Sequence, residues 1–381
     1  MRIVVAPDSY KGSLSAVSVA SAMARGILQV FPEAEVIQVP IADGGEGTVE
    51  ALITATGGTL RHNLVTGPLG AKHIAHWGVL GDGQTAVIEM ATASGLPLLK
   101  PSERDPRITT TYGTGELIGA ALDAGLRRII LGIGGSATND GGAGMARALG
   151  VRFISAAGTD LDLHGGAALH HLGEIDVSAL DPRLLECEII VACDVDNPLC
   201  GEQGASAVFG PQKGATPEVV AELDNALRHY AEHARRATGR DVANEPGAGA
   251  AGGLGAGMLF FTPAKLRPGV DIVLDAVDFP TLLSGTDFVI TGEGRTDFQT
   301  AFGKAPVGVA RVAKQLGLPV FCLSGSLGQG ADDVLTQGID VTLSICDRPL
   351  TLETCMSEAE ELIVAAAARL CRIIKAAQKL R

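Results

Sequence analysis

Aromatic side chains are scarce in this 381-residue chain: they fill 4% of positions, with a single tryptophan, so no ring stands out as a stacking platform for a base. Positive charge is short as well. Thirty Lys and Arg against 43 Asp and Glu leave a net charge of −13, which argues against nucleic acid or an acidic membrane as the main partner, because both need a basic footprint. A small anion needs only a local pocket and stays open. No stretch reaches the roughly 18 apolar residues of a membrane span. The opening MRIVVAPDS has one positive charge and a short apolar run stopped by Pro7 and Asp8, which is not a secretory signal. Seven cysteines, an odd number without a CxxC pair, are expected as reduced thiols of a cytoplasmic protein. The eight histidines lack H-E-x-x-H or other metal-ligand spacing, against zinc. No Walker A is present, since Gly303-Lys304 is followed by alanine and lacks the earlier glycine. No G-x-S-x-G elbow is present either.

Glycine, by contrast, is abundant. Its 50 occurrences cluster in short motifs between apolar runs, which suits tight loops and close backbone approach to a ligand. The length exceeds the roughly 250–300 residues at which single cores split, so two domains are expected.

Arg2 to Ala6 reads as a buried strand, 15–31 as a helix, Glu35 to Val39 as a strand, Gly45 to Thr56 as a helix, and Thr59 to Val65 as a third strand closing a β-α-β-α-β beginning. His73 to Leu80 and Thr85 to Met90 read as a hairpin. Further strands are expected at 128–133, 151–154, 188–193, 287–291, 319–323 and 340–345, with helices at 113–124, near Gly144, and at 218–237, 304–316 and from about 354 onward. The fold class is α/β. One doubly wound, Rossmann-like or flavodoxin-like parallel sheet is expected from both chain ends, residues 1–70 and 285–381, with a mixed α/β domain inserted at 71–284.

Six polar, glycine-rich stretches carry the candidate chemistry, placed where α/β proteins bind ligands. Asp8, Ser9 and Lys11 follow the first strand and suit a phosphate or carboxylate. Asp43, Gly44, Gly45 and Glu46 open the second helix with more glycine than propensity favours. Gly134, Gly135, Ser136, Thr138 and Asn139 resemble a dinucleotide fingerprint, but no acid ends the next strand, so an anion nest of N–H groups fits better. Asp194 and Asn197 end an apolar strand with groups suited to Mg²⁺ or a substrate hydroxyl, and Lys213 sits in a rigid turn beyond. The loop from Gly247 to Gly257, including Gly249, offers its backbone. Glu293, Arg295 and Asp297 follow a strand, with Lys304 beyond, and the arginine fork suits phosphate or carboxylate. A turn or salt-bridged loop without a ligand is the competing reading of each.

Nine stretches in order, PDSYKGSLSA, ADGGEGT, VTGPLG, TTTYGTGELI, IGGSATNDGGAGM, CDVDNPLCG, FGPQKGA, PGAGAAGGLGAG and TGEGRTDFQTAFGK, resemble the glycerate kinase family of bacterial glycerate, glyoxylate and glucarate/galactarate breakdown. Tyr10 departs from the family's more frequent phenylalanine. The resemblance implies ATP and Mg²⁺, D-glycerate as substrate, 2-phosphoglycerate as product, and a site in the cleft between two α/β domains. Arg295, then Lys11, would hold the substrate carboxylate; Asp194, then Asp297, would take the hydroxyl proton. Asp43 and Glu46 are the metal candidates. The stretches at Gly134 and Gly249 would donate N–H groups to phosphates, and domain closure would exclude water. A homodimer is allowed for. The alternatives are formation of 3-phosphoglycerate, a kinase for another small hydroxy acid, an NAD(P) oxidoreductase, and a non-catalytic glycerate sensor.

Overall fold

A computed structural model of the chain describes residues 1–380. Thirteen strands occur among them: β1 (Arg2–Pro7), β2 (Glu35–Gln38), β3 (Thr59–Thr66), β4 (Lys72–Val79), β5 (Thr85–Glu89), β6 (Arg128–Gly132), β7 (Arg152–Ser155), β8 (Leu172–Asp176), β9 (Glu188–Ala192), β10 (Lys265–Arg267), β11 (Phe288–Thr296), β12 (Val320–Leu327) and β13 (Val341–Ser344). The chain divides into two compact units. The first takes Met1–Asp43, Glu50–Gly57 and the chain from Val270 onward; the second takes Gly44–Val49 and Gly58–Gly269. No helix among the described residues is long and apolar enough to cross a membrane.

The first unit is built on a five-stranded, all-parallel sheet in the order β13-β12-β11-β1-β2. The run Ile3, Val4, Val5, Ala6 is wholly buried, as expected of a strand covered on both faces. Ile3 and Val5 join Ile290 and Leu323 in a core with the helices Ala16–Leu28 and Ala359–Ala377. Helix Ala305–Gln315 packs on β1, β11 and β12 through its own buried face. This is the doubly wound α/β architecture, and it leaves the carboxyl ends of β1 and β11 side by side.

The second unit holds a mixed six-stranded sheet, β10-β9-β6-β5-β4-β3, and a separate β7-β8 ladder. β5, β6, β9 and β10 run parallel, whereas β4 is antiparallel to both β5 and β3. The expected hairpin at 73–90 is therefore present.

Three local expectations are corrected. The strand at 59–65 forms, but it pairs antiparallel with β4 at the edge of the second sheet instead of closing the first. The helix expected from Gly45 starts at Thr48, because Gly44 and Gly47 adopt φ of +87° and +92°. The strand expected to stop at Thr291 continues to Thr296, because β12 keeps pairing with it as far as Thr296 opposite Leu327.

Candidate active site

In the first unit the carboxyl ends of β1 and β11 carry a group of carboxylates. Asp8 leaves β1 with its N–H donated to the Gly292 carbonyl at 2.8 Å, and its own Oδ1 accepts the Ser9 N–H at 2.6 Å. Burial pushes the Asp8 carboxyl up to about 7, and the charges of Asp43 and Glu293 push the same way, against the Ser9 N–H. Glu293 is buried on the extension of β11; its Oε1 accepts the hydroxyls of Thr300 at 2.6 Å and Thr296 at 3.1 Å. Burial raises its carboxyl too, while the Thr300 hydrogen bond and Lys304 oppose the rise.

Two residues on, Arg295 is exposed, and its Nε lies 3.3 Å from Asp297 Oδ2. Asp297 is mostly covered, with Oδ1 accepting the Gln299 N–H at 3.0 Å. Lys11 is exposed, and the backbone of its loop lies against Gly294. Thus the first unit gathers Asp8, Asp43, Glu293, Arg295, Asp297 and Lys304 from stretches nearly three hundred residues apart.

Asp43 and Glu46 are both exposed and fall in different units. No group of three or more His, Cys, Asp or Glu converges as a metal cage among the described residues. That does not conflict with Mg²⁺, which keeps several waters and takes one or two carboxylates. Burial does most to raise Asp8 and the Asp43 charge adds to it; a divalent cation beside Asp8 and Asp43 would relieve that added repulsion, so the donor set fits a hard cation.

In the second unit the stretch after β6 folds over the Gly44-Gly45 turn. A side chain on Gly134 would come within 2.8 Å of Gly45 Cα, so this close approach is backbone against backbone. A side chain on Gly249 would run even more tightly into the Pro198 carbonyl oxygen, and Gly249 donates its N–H to the Asn197 carbonyl at 2.9 Å. Asn197 Nδ2 donates to the Gln203 carbonyl at 2.8 Å. The segment expected as a loop to Gly257 instead becomes the helix Ala250–Phe261, kinked by left-handed Ala251, Gly252 and Gly253.

Lys213 is wholly buried rather than presented on a turn. Its Nζ donates to Ser136 Oγ and to the Thr138 carbonyl, both at 2.7 Å, which pins the Gly134–Asn139 stretch from beneath. Burial pulls its ammonium down to about 7, against the attraction of Asp140. Gly135 stays exposed, whereas Thr138 Oγ1 and Asn139 Oδ1 are buried with no hydrogen-bond partner. Asn139 Nδ2 donates to Ser206 Oγ at 2.9 Å. Asp194 is exposed, and its Oδ1 accepts the Gly269 N–H at 2.9 Å.

Two buried carboxylates were absent from the candidates drawn from sequence. Asp140 accepts from Thr111 N and Oγ1, both at 2.8 Å, and from the N–H groups of Gly142 and Gly144; burial raises its carboxyl despite these donors. Glu89, at the end of β5, accepts the Val49 N–H at 2.7 Å. The only local sign of either was a carboxylate beside glycines or closing an apolar strand.

Comparison with known proteins bears on the whole chain. The model of a family described as "Glycerate kinase family" matches residues 3–375. A glycerate kinase of Bacillus subtilis (strain 168) is 51% identical over 380 residues, covering 100% of this chain and 99% of that protein. A glycerate 2-kinase of Escherichia coli (strain K12) is 54% identical over 353 residues, 93% of this chain and 92% of its own. A crystal structure of a Salmonella typhimurium LT2 protein, described as a candidate glycerate kinase 2, is 51% identical, covers 100% of both chains and superposes with a TM-score of 0.89.

Proposed function

The chain belongs to the glycerate kinase family, and from that footing we propose that it transfers the terminal phosphoryl group of ATP to the 2-hydroxyl of D-glycerate, giving 2-phosphoglycerate. The observation that carries the reading is the full-length match to glycerate kinases together with the carboxylates, arginine and lysine gathered at the ends of β1 and β11. The choice of the 2-hydroxyl draws on the name of the Escherichia coli relative.

Phosphoryl transfer asks a protein mainly for positioning and charge stabilisation. Arg295 is assigned to the substrate carboxylate: its guanidinium is exposed, and a planar fork matches a carboxylate in two places. Lys11, also exposed, is the second cation for that role. Asp194 is assigned to accept the hydroxyl proton, because its carboxylate is exposed and one backbone N–H orients it. Asp297 is the second choice, being held by Arg295 and Gln299. Asp43, with Asp8, would hold Mg²⁺, which when bound supplies positive charge to the nucleotide phosphates. Gly135 and its neighbours would offer N–H groups to phosphate oxygens, and Lys213, Ser136 and Thr138 keep that stretch in shape. Glu46 and Lys304 remain proposals for metal and phosphate in that order, whereas the Gly249 N–H, expected to serve a phosphate, is already given to the Asn197 carbonyl. A cytoplasmic location goes with this reading.

The test is ADP release with D-glycerate, ATP and Mg²⁺, with the product fed to enolase in the absence of phosphoglycerate mutase. Signal through enolase is expected. A requirement for added mutase would assign the 3-hydroxyl instead, and no glycerate-dependent ADP would overturn the substrate.

A further inference from the structure

Two thiols that the phosphoryl-transfer chemistry does not use lie together in the first unit. Cys346 follows β13, Cys355 sits in the short helix Leu352–Ser357, and their sulfurs are 3.5 Å apart. Neither residue is buried, and both are free thiols. None of the six residues of that short helix is buried, so little packing opposes a small shift. Bringing the sulfurs to the bond length of about 2.05 Å needs a movement on the order of 1.5 Å, within reach of side-chain rotation.

The surroundings connect this pair to the loop that carries Lys11. On one side Ser13 Oγ donates to the Met356 carbonyl at 2.7 Å, and Gly12 lies against the Met356 side chain. On the other side Cys346 Sγ donates to the Gly325 carbonyl at 3.5 Å. Gly325 in turn lies against the backbone of Gly294, which faces Tyr10 and Lys11.

We propose that Cys346 and Cys355 form a reversible disulfide, a modification site that ties the helix Leu352–Ser357 to the end of β13 and thereby stiffens the Lys11–Ser13 loop. The oxidant is a hydroperoxide. The Cys346 sulfur attacks the peroxide oxygen; the O–O bond breaks, water or an alcohol leaves, and Cys346 becomes a sulfenic acid. The Cys355 sulfur then attacks Cys346, the S–S bond forms, and hydroxide leaves with the Cys355 proton as water. Both thiols are thereby oxidised and the peroxide is reduced. The hydrogen bond to Cys346 raises the Cys355 thiol. This inference does not depend on which hydroxy acid the enzyme phosphorylates.

The test treats the full-length protein with hydrogen peroxide, then maps peptides without reduction and follows amide hydrogen exchange. The expected result is a Cys346–Cys355 link, removed by dithiothreitol, with several-fold slower exchange at Gly12 and Ser13. Cys346→Ser and Cys355→Ser each lose the link and the slowing, and Cys355→Ser leaves a sulfenic acid at Cys346 that a dimedone probe captures. Oxidation elsewhere with no link between these two residues overturns the proposal. So does a link that leaves exchange at Gly12 and Ser13 unchanged.

Discussion

Replacing Lys213 by methionine isolates the cost and benefit of a buried ammonium. The substitution keeps most of the side-chain volume but removes the donor to Ser136 Oγ and the Thr138 carbonyl. The neutral amine still donates both hydrogen bonds, worth about 0.5–1.5 kcal/mol each, and their loss in the variant does not change with pH. The ammonium's burial does change with pH. Its pKa falls from 10.5 to about 7 in the fold, so the unfolded chain binds more protons than the folded chain between those values. Stability therefore rises with pH through that window, is fully present above 10.5, and is lost as pH falls towards 7. The buried lysine costs on the order of 4 kcal/mol at pH 7 and about 2 kcal/mol at pH 9. The single tryptophan, Trp77, is buried in the unit that contains Lys213 and reports its unfolding in urea. The stability advantage of the native protein over Lys213→Met should grow by about 2 kcal/mol from pH 7 to pH 9. A gap that stays constant across that range would refute the buried-ammonium account.

Asp194→Asn keeps an oxygen for the Gly269 N–H, so the melting temperature should move by no more than about 2 °C while turnover falls by about 10²–10⁴-fold. Turnover near that of the native enzyme would remove Asp194 as the base. Arg295→Gln should raise KM for D-glycerate by roughly 10–100-fold, the equivalent of one charge-assisted interaction, with KM for ATP little changed. An effect on kcat alone would move Arg295 from substrate binding to transition-state stabilisation. Gly252→Ala places a side chain at φ +69° and within 2.6 Å of Asn139 Cα, so a loss of at least about 2 kcal/mol is expected in urea unfolding. A near-neutral result would mean that the turn relaxes without disturbing Thr138 and Asn139.

Elements with a long, regular pattern were legible in the residues. Strand β1, the β4-β5 hairpin and the helix Pro217–Thr238 all lie within a few residues of their expected bounds. The helix has Thr216 as its cap and Gly239 at its end, and both signals are local. The extension of β11 was not legible, because Gly292-Glu293-Gly294 has little strand propensity and is extended by pairing with β12. The kinked helix at Ala250–Phe261 was hidden for a similar reason: its glycines look like loop residues until their close packing on Thr138, Asn139 and Gly141 is known.

The candidate site divides along the same line. Composition, charge sign, the α/β alternation and the nine ordered motifs are properties of the chain read in one dimension, and they sufficed for the family and the fold class. Which carboxylates share a neighbourhood depends on contacts between distant segments. Asp8 reaches about 7 because folding buries it near Asp43 and Glu293, and Lys213 reaches about 7 because folding buries it beneath Ser136 and Thr138. A sequence shows that a residue can ionise; the desolvation and neighbouring charges that set how readily it does so arise only when the chain is folded.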